Sequence, residues 1–479
     1  MAIETEAKEA SPFFVFQDAN SQKVFWGQLI SQACDKLMSV GMIWVLSSEF
    51  SPKWVPWFIA FGALPHFLLA TISGHWIARW GALKTVIWAD IFRGALFVFC
   101  AWVASFTKAD SHLLTLLMIS AIVSNIAGAL FNPAILSLPV SMMEEGEKRD
   151  KLTALIDSCF SFGSVLGPLC SALAYAWTGL IGLLAINGLS YFFSAALALG
   201  VKLQEPAALV LTHSTSARAE LDNADRSISR LEGGATGGAD PDRSNEQTEP
   251  NSHNRSNEQT VSSSHSQHGS HNNGSVATPP LEKAKTNSIS VVMKKQPVIA
   301  GMLLTFLMMN FFLAPLMVFM PWYVKNTYHM DIMGLARLEA FMGIGTVIGG
   351  LLLSVVKIPG ATWKRVCAFL VLMALSYLSF TFSQNIWAGC ISVFSLGFFL
   401  ALANVVLLTF FQSAPQADDV PVVMGMVNLI SVASLPISMG IIGAFIEHVN
   451  VPQFAAICAA VVVGIAMLIR FIPGIQRIP

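Results

Sequence analysis

Charge is scarce in this chain. Asp, Glu, Lys and Arg make up 12% of its 479 residues, against about a quarter in a soluble domain, so most of it cannot present a watery surface. No basic face stands out and the net charge is −1, so no nucleic-acid partner is expected. Cysteine supplies no framework. The seven residues Cys34, Cys100, Cys159, Cys170, Cys367, Cys390 and Cys458 fall in apolar segments without C-x-x-C spacing. They read as small buried hydrophobes, not as disulfides or metal ligands. Catalytic signatures are missing as well: there is no H-E-x-x-H, no G-x-S-x-G, no glycine-rich phosphate loop and no intramembrane Asp pair at helical spacing. Asp418 and Asp419 are adjacent in a loop and point to opposite sides. No enzyme, cofactor or metal site is expected. The amino terminus carries Glu4, Glu6 and Glu9 and lacks the basic start and small-residue cut site of a cleavable signal peptide.

Hydrophobic residues fill the space, at 54%. Six segments, Val24–Leu46, Trp54–Ser73, Thr85–Ser105, Leu113–Leu136, Leu152–Trp177 and Leu180–Val201, are each long enough to cross a hydrocarbon core of ~30 Å. Six more follow a polar insert: Val298–Val324, Leu338–Val356, Arg365–Phe382, Ile386–Phe411, Val422–Phe445 and Val451–Ile472. The expected class is an all-α integral membrane protein of twelve transmembrane helices. It divides into a six-helix bundle at 1–201, a disordered cytoplasmic linker at 202–296 and a second six-helix bundle at 297–479. With both termini inside, the outer loops hold only Lys53, Lys108, Lys325 and Arg337, while Lys36 and Arg93 lie within spans. All other Lys and Arg fall inside, so both termini and the insert are expected to be cytoplasmic, and the expected location is a cytoplasmic (inner or plasma) membrane.

In the insert, Ala217–Glu232 carries only a thin apolar stripe, and Arg243–Thr248 repeats verbatim at Arg255–Thr260. Such a segment cannot bury enough apolar surface to offset its ordering entropy. His265, His268 and His271 belong to this low-complexity tract, where nothing fixes a metal geometry. The insert reads as a tether between two bundles.

Polar residues inside the apolar segments carry the functional reading. Gln28, Ser31, Gln32, Asp35 and Ser39 recur at helical spacing and form one stripe along the first span. Lipid would not tolerate that stripe, so it is expected to face a water-filled cavity between the bundles. Asp35 lies near mid-span, where an ionised carboxylate is costly, and reversible protonation there is what proton coupling requires. The alternative is a carboxylate neutralised by a fixed partner on another helix, since Lys36 points about 100° away. Asp90 and Arg93, at i and i+3, form either an interfacial ion pair with Arg93 snorkelling to the headgroups or a hand-off site for a proton or an anionic headgroup. His66, after Pro65, either packs or lines the cavity. Glu447, His448, Lys325, His329 and Asp331 fall in outer regions and are expected to be solvated. In the second half Asn310, Asn404, Gln412 and Asn428 are the best-placed polar residues, and no charge is expected there. Gly343, Gly345, Gly349 and Gly350 would give a surface on which helices rock. The Met and Phe side chains of the seventh and tenth spans either pack or line a greasy pocket.

Two local patterns carry a resemblance. Gly74, Arg79, Gly81 and Lys84 lie between the second and third spans, where glycines allow a tight turn and cations meet helix ends. Gly163, Gly167 and Pro168 in the fifth span allow close helix approach and a bend. The first pattern resembles the major facilitator superfamily loop G-x-x-x-D-R-x-G-R-R/K, with Ala78 in place of its Asp, which removes the acid from the charge relay. The second resembles the G-x-x-x-G-P-x-x-G signature of the superfamily's antiporters, with Ser171 as its last residue. Gly27-Gln28, Ser31-Gln32, Asp35-Lys36, Phe131-Asn132-Pro133-Ala134, Leu138-Pro139 and Ile186-Asn187-Gly188 are similar to one branch. That branch holds macrolide-type effluxers, siderophore exporters and lysophospholipid transporters. The resemblance implies two bundles in the major facilitator fold and alternating access, with proton-coupled export of a small amphipathic molecule, a drug-like compound or siderophore. It also implies a gating loop at Gly74–Lys84 and contact with membrane lipids, in a monomer. Movement of a lysophospholipid, with Lys36 or Arg93 for its phosphate, or uptake of a siderophore-like compound, are the alternatives.

Overall fold

Apolar runs of this length have no water to satisfy their peptide groups, so they close their hydrogen bonds within helices. In the computed structural model the described residues, 18–69, 72–107, 110–143, 147–203, 289–356, 359–416 and 419–477, are all helix, turn or connecting chain. The first half contains α1 (Ala19–Val45), extended by a π-helical turn at Leu46–Phe50, then α2 (Trp54–Leu69), α3 (Ser73–Trp80), α4 (Ala82–Ala104), α5 (Ser111–Met142) and α6 (Glu147–Leu199). After the insert come α7 (Ile289–Lys295), α8 (Pro297–Leu313), α9 (Leu316–Asn326), α10 (Ile332–Val355), α11 (Thr362–Thr381), α12 (Ile386–Ser413), α13 (Val420–Phe445) and α14 (Val451–Leu468). Starts are set locally. Asp18, Asp110, Asp331, Asn385 and Asn450 each accept a backbone N–H in the first turn of α1, α5, α10, α12 and α14.

A single rod of the 53 residues in α6 would run roughly 80 Å, far beyond one bilayer. The helix breaks at Gly179, where φ is 62° and ψ −161°. Its two arms fold back side by side along α1. Near one end of α1, Cys159 Sγ lies 3.7 Å from Phe25 O, and a Cβ on Gly27 would touch Ser194. Near the other end, Gly41 faces both Ser171 and Leu183. The hairpin therefore supplies two crossings. Among the described residues ten helices are long and apolar enough to span, and α2 with α3, bent by 65°, gives one more. With α6 counted twice, twelve crossings result.

The start of α1 is tied to the chain entering the insert, since Lys23 Nζ donates to Gly200 O at 2.5 Å and Asn20 Nδ2 to Lys202 O at 3.2 Å. We call this side the insert end and the opposite side the far end. The two halves share an apolar cluster that contains most of the second half's core. Its first-half members, Val40, Ile43, Trp44, Leu46, Val55, Ala60 and Ala172, come from the far-end portions of α1, α2 and the first arm of α6. Lys53 and Glu447 add an ion pair of 3.1 Å between the halves, and Lys325 Nζ approaches Ser47 O and Ser48 O at 3.5 and 3.4 Å.

Glu447, Lys325 and Asp331 are exposed, as expected; the first two also join the halves, and Asp331 caps α10. Other expectations need correction. The eighth span starts at Ile332, so Arg337 belongs to a helix and not to a loop. The four glycines of α10 do not form one rocking surface. Gly345 and Gly349 pack on Phe394 and Phe398 of α12 in their own half, a Cβ on Gly350 would meet nothing within 4 Å, and of the four only Gly343 meets the other half, at Ser164. Cys170 is exposed and Cys34 half-buried, although all seven cysteines are free. The insert's helix, repeat and histidines, together with Lys108 and Asp418, lie outside the described residues.

Candidate functional site

Helices α1, α4 and α6 bring together side chains far apart in sequence. Small residues permit the approach. A Cβ on Gly163 would sit 3.1 Å from Gln32 O, one on Gly167 would sit 2.4 Å from Lys36 Cβ, and one on Gly188 would sit 3.0 Å from Gly94 O. The Gly163–Pro168 segment thus seats the first arm of α6 against the turn of α1 that carries Asp35 and Lys36.

Arg93 of α4 is the hub. Its Nη2 donates to Asp90 Oδ1 at 2.5 Å, and its Nη1 lies 3.8 Å from Asp35 Oδ2. The guanidinium is sandwiched between the rings of Phe131 and Tyr191, 4.2 and 4.1 Å from their centroids, and Nη1 lies 3.4 Å from the Tyr191 hydroxyl. Tyr191 donates its hydroxyl hydrogen to Asp35 Oδ1. Arg93 therefore does not snorkel to the headgroups. A planar, weakly hydrated cation between two rings and two carboxylates is stable in a dry interior in a way an ammonium is not.

Exposure separates the two acids. The side chain of Asp90 is 0% exposed and that of Arg93 5%, while Asp35 is 29% exposed. Asp35 is the wet end of the cluster. It opens on a cavity of about 420 Å³ whose lining comes wholly from the first half, including Gln32, Lys36, Ser39, His66, Asn125 and Asn132. His66 Nε2 faces Asn132 Nδ2 at 3.3 Å. The polar stripe of α1 divides here. Gln32, Asp35 and Ser39 line this cavity, whereas Gln28 and Ser31 are sealed between helices, with Gln28 Oε1 and Ser31 Oγ lacking a hydrogen-bond partner. The cavity's lining comes from the first half alone, with Lys36 at the seam, and Met and Phe of the seventh and tenth spans do not line it.

The chemistry follows from charge balance. Two carboxylates on one guanidinium leave a net negative charge, and one added proton makes the group neutral. Of the two acids only Asp35 is open to the cavity, so a proton entering from the cavity meets Asp35 first. Lys36 is exposed at the same cavity and makes no ion pair within 4.0 Å among the described residues.

Sequence reasoning missed two residues. Tyr191 is one aromatic among many in an apolar span, and nothing local marks it. Glu339 overturns the expectation of an uncharged second half: it lies within α10 and feels the charge of Lys36 across the seam. The contacts make its level consistent with that. Gly343 of α10 meets Ser164 of α6, one turn farther toward the far end Gly167 meets Lys36, and Glu339 is one turn farther along α10 in the same direction. The signal existed, since Glu339 falls inside Leu338–Val356, but at its start, where a carboxylate reads as a flank.

The Gly74–Lys84 segment is less of a loop than expected. Residues 73–80 are helix α3, and Gly81, with φ 85° and ψ 145°, makes the turn into α4. Glycine is needed at 81, a backbone that side chains disfavour, while a Cβ on Gly74 would meet nothing within 4 Å.

The chain matches the family model described as Major Facilitator Superfamily over residues 24–439. No curated protein matches it. Among solved structures, a point mutant of the peptide transporter POT with sulfate superposes with a TM-score of 0.62 at 13% identity, over 97% of this chain and 95% of that one. The same mutant with alafosfalin gives 0.61 at 12% identity, over 97% and 95%. POT with sulfate gives 0.61 at 13% identity, over 97% and 95%. At these identities the likeness is one of fold.

Proposed function

Given that the chain belongs to the Major Facilitator Superfamily, and so is a multi-pass membrane protein and a secondary transporter, we propose that it exports a small amphipathic organic molecule, drug-like or siderophore-like, in exchange for protons. The observation that carries this reading is the exposure gradient across the charge cluster, from the dry Asp90–Arg93 pair to Asp35 at the cavity wall. In this reading Asp35 carries the proton, and the polar residues around it, Gln32, Lys36 and Ser39, meet the substrate. Outward direction rests on the likeness of the Gly163–Pro168 segment to antiporters. The insert end is cytoplasmic, which the distribution of Lys and Arg supports, and residues 202–296 tether one bundle to the other. Alternating access then means that the far-end seam opens as the insert end closes.

Lys36 supports a second reading, movement of a lysophospholipid. Its ammonium is exposed at the cavity wall with Glu339 across the seam, and a phosphate could reach it there, whereas Arg93 is already held by two acids and two rings.

The test compares small molecules and lipids in cytoplasm, medium and membrane of cells with and without the protein. Build-up of one soluble compound inside deletion cells, relieved by the wild type and not by Asp35→Asn, is the expected result. Loss of an intracellular compound on deletion would reverse the direction and make the protein an importer. A change confined to lysophospholipids would favour the second reading and remove Asp35 as proton carrier.

A further inference from the structure

One face of α4 is unused by the charge cluster. Thr85, Val86, Ala89, Asp90 and Arg93 are buried against the bundle, while Lys84, Trp88 and Phe92 point away from it. These three follow at i, i+4 and i+8, so they form a single stripe with steps of roughly 6 Å along the helix. Across the Gly81 turn, Arg79 and Trp80 complete the wall of a cavity of about 540 Å³ shared with that stripe. Trp80, Trp88 and Phe92 are 50%, 64% and 48% exposed.

The order of side chains matches the depth profile of a bilayer leaflet. Cations stand at the insert end of α4, an exposed tryptophan lies beside them, and aromatic surface continues one and two turns deeper. A cation-only patch would suit any soluble anion, and an aromatic-only stripe would suit any acyl chain. Their vertical stacking suits a molecule with both parts. The cations are also available. Ser73–Ala89 contains no Asp or Glu, and the next acid, Asp90, is taken by Arg93. Neither Arg79 nor Lys84 makes a hydrogen bond or ion pair among the described residues.

We infer that Arg79 and Lys84, with Trp80, Trp88 and Phe92, form a binding site for one anionic phospholipid of the leaflet at the insert end, separate from the cavity at Asp35. The phosphate lies between the two cations, and an acyl chain runs down the aromatic stripe. Because Gly81 links α3 to α4, a lipid held on both sides of it braces that turn.

Native mass spectrometry of the full-length protein in detergent tests this, with phosphatidylglycerol and phosphatidylcholine of matched chains as probes. One phosphatidylglycerol should be retained at concentrations where phosphatidylcholine is not. Arg79→Gln and Lys84→Gln should each weaken retention about fivefold, the effect of one basic residue at a charged membrane surface. Lys84→Arg should keep it, which also shows that the site survives substitution. Lys364→Gln, at another exposed cation beside a tryptophan, should leave it unchanged. Equal retention of both lipids, no effect of the two glutamine variants, or an equal effect of Lys364→Gln would each overturn the site as ordinary surface lipid. Displacement of the lipid by millimolar inorganic phosphate would overturn it in favour of a soluble anion.

Discussion

Removing the guanidinium of Arg93 would strand Asp90, which has no exposed surface and no other cation in contact. Breaking a buried ion pair from one side costs about 3–5 kcal/mol, because the remaining charge stays in a dry site. Arg93→Met is therefore expected to lower the thermal unfolding temperature of the purified protein sharply. Arg93→Lys keeps a charge but loses the planar stack on Phe131 and Tyr191, and is expected to recover only part of the loss. Asp35→Asn should behave differently. Asp35 is 3.8 Å from Arg93 and partly wet, and an amide can still accept from Tyr191, so the change should destabilise less than Arg93→Met while abolishing proton-driven flux. Equal destabilisation by Asp35→Asn and Arg93→Met would make Asp35 a structural acid. The separate members of this cluster were legible in the sequence, because charge is so rare in the spans that Asp35, Asp90 and Arg93 stand out. Their convergence was not. Tyr191 lies 98 residues from Arg93 and 156 from Asp35, and no local period reports a contact between helices that far apart.

At the scale of elements, the glycines show which helix contacts are rigid. A Cβ on Gly345 would stand 2.1 Å from Phe394 O, and one on Gly397 would stand 2.3 Å from Met342 O, so α10 and α12 interlock backbone to backbone. Gly345→Ala must push that backbone away and is expected to destabilise by about 1–3 kcal/mol. Gly350→Ala, one turn and a residue later, meets nothing within 4 Å and should stabilise α10 by about 0.5–1 kcal/mol through helix propensity. Thermal unfolding of the two variants in one detergent checks the contrast, and similar shifts would mean that α10 and α12 do not interlock in solution. The twelve crossings were legible from hydropathy alone, including the pair in α6, whose length could not fit one bilayer. The sorting of the α10 glycines was not. Positions 343, 345, 349 and 350 look alike in sequence, and only the helix rotation decides that 345 and 349 meet their own half while 343 meets the other.

For the whole molecule, the seam at the far end decides which side of the membrane is sealed. The Lys53–Glu447 pair is the obvious latch, but its side chains are 39% and 53% exposed, and exposed pairs contribute about 0–1 kcal/mol. Lys53→Gln should therefore change flux by no more than about fivefold. The apolar cluster is the stronger tie. Val40, Ile43, Trp44, Leu46, Val55, Ala60 and Ala172 are buried in the same core as the second half, and opening the far end exposes them together. A side chain on Gly443 would reach Trp57, since even its Cβ would lie 2.9 Å from the indole Nε1. Gly443→Leu drives a wedge between α2 and α13 at the far end while leaving the Asp35 cavity untouched. Placed on a cysteine-free background with Ser39→Cys as a reporter inside that cavity, the wedge should raise labelling by a membrane-impermeant maleimide applied from the far side several-fold. Labelling applied from the insert side should fall in parallel, because two states of one seam exclude each other. A wedge that raised labelling from both sides would mean that the halves had come apart instead of exchanging one closed end for the other.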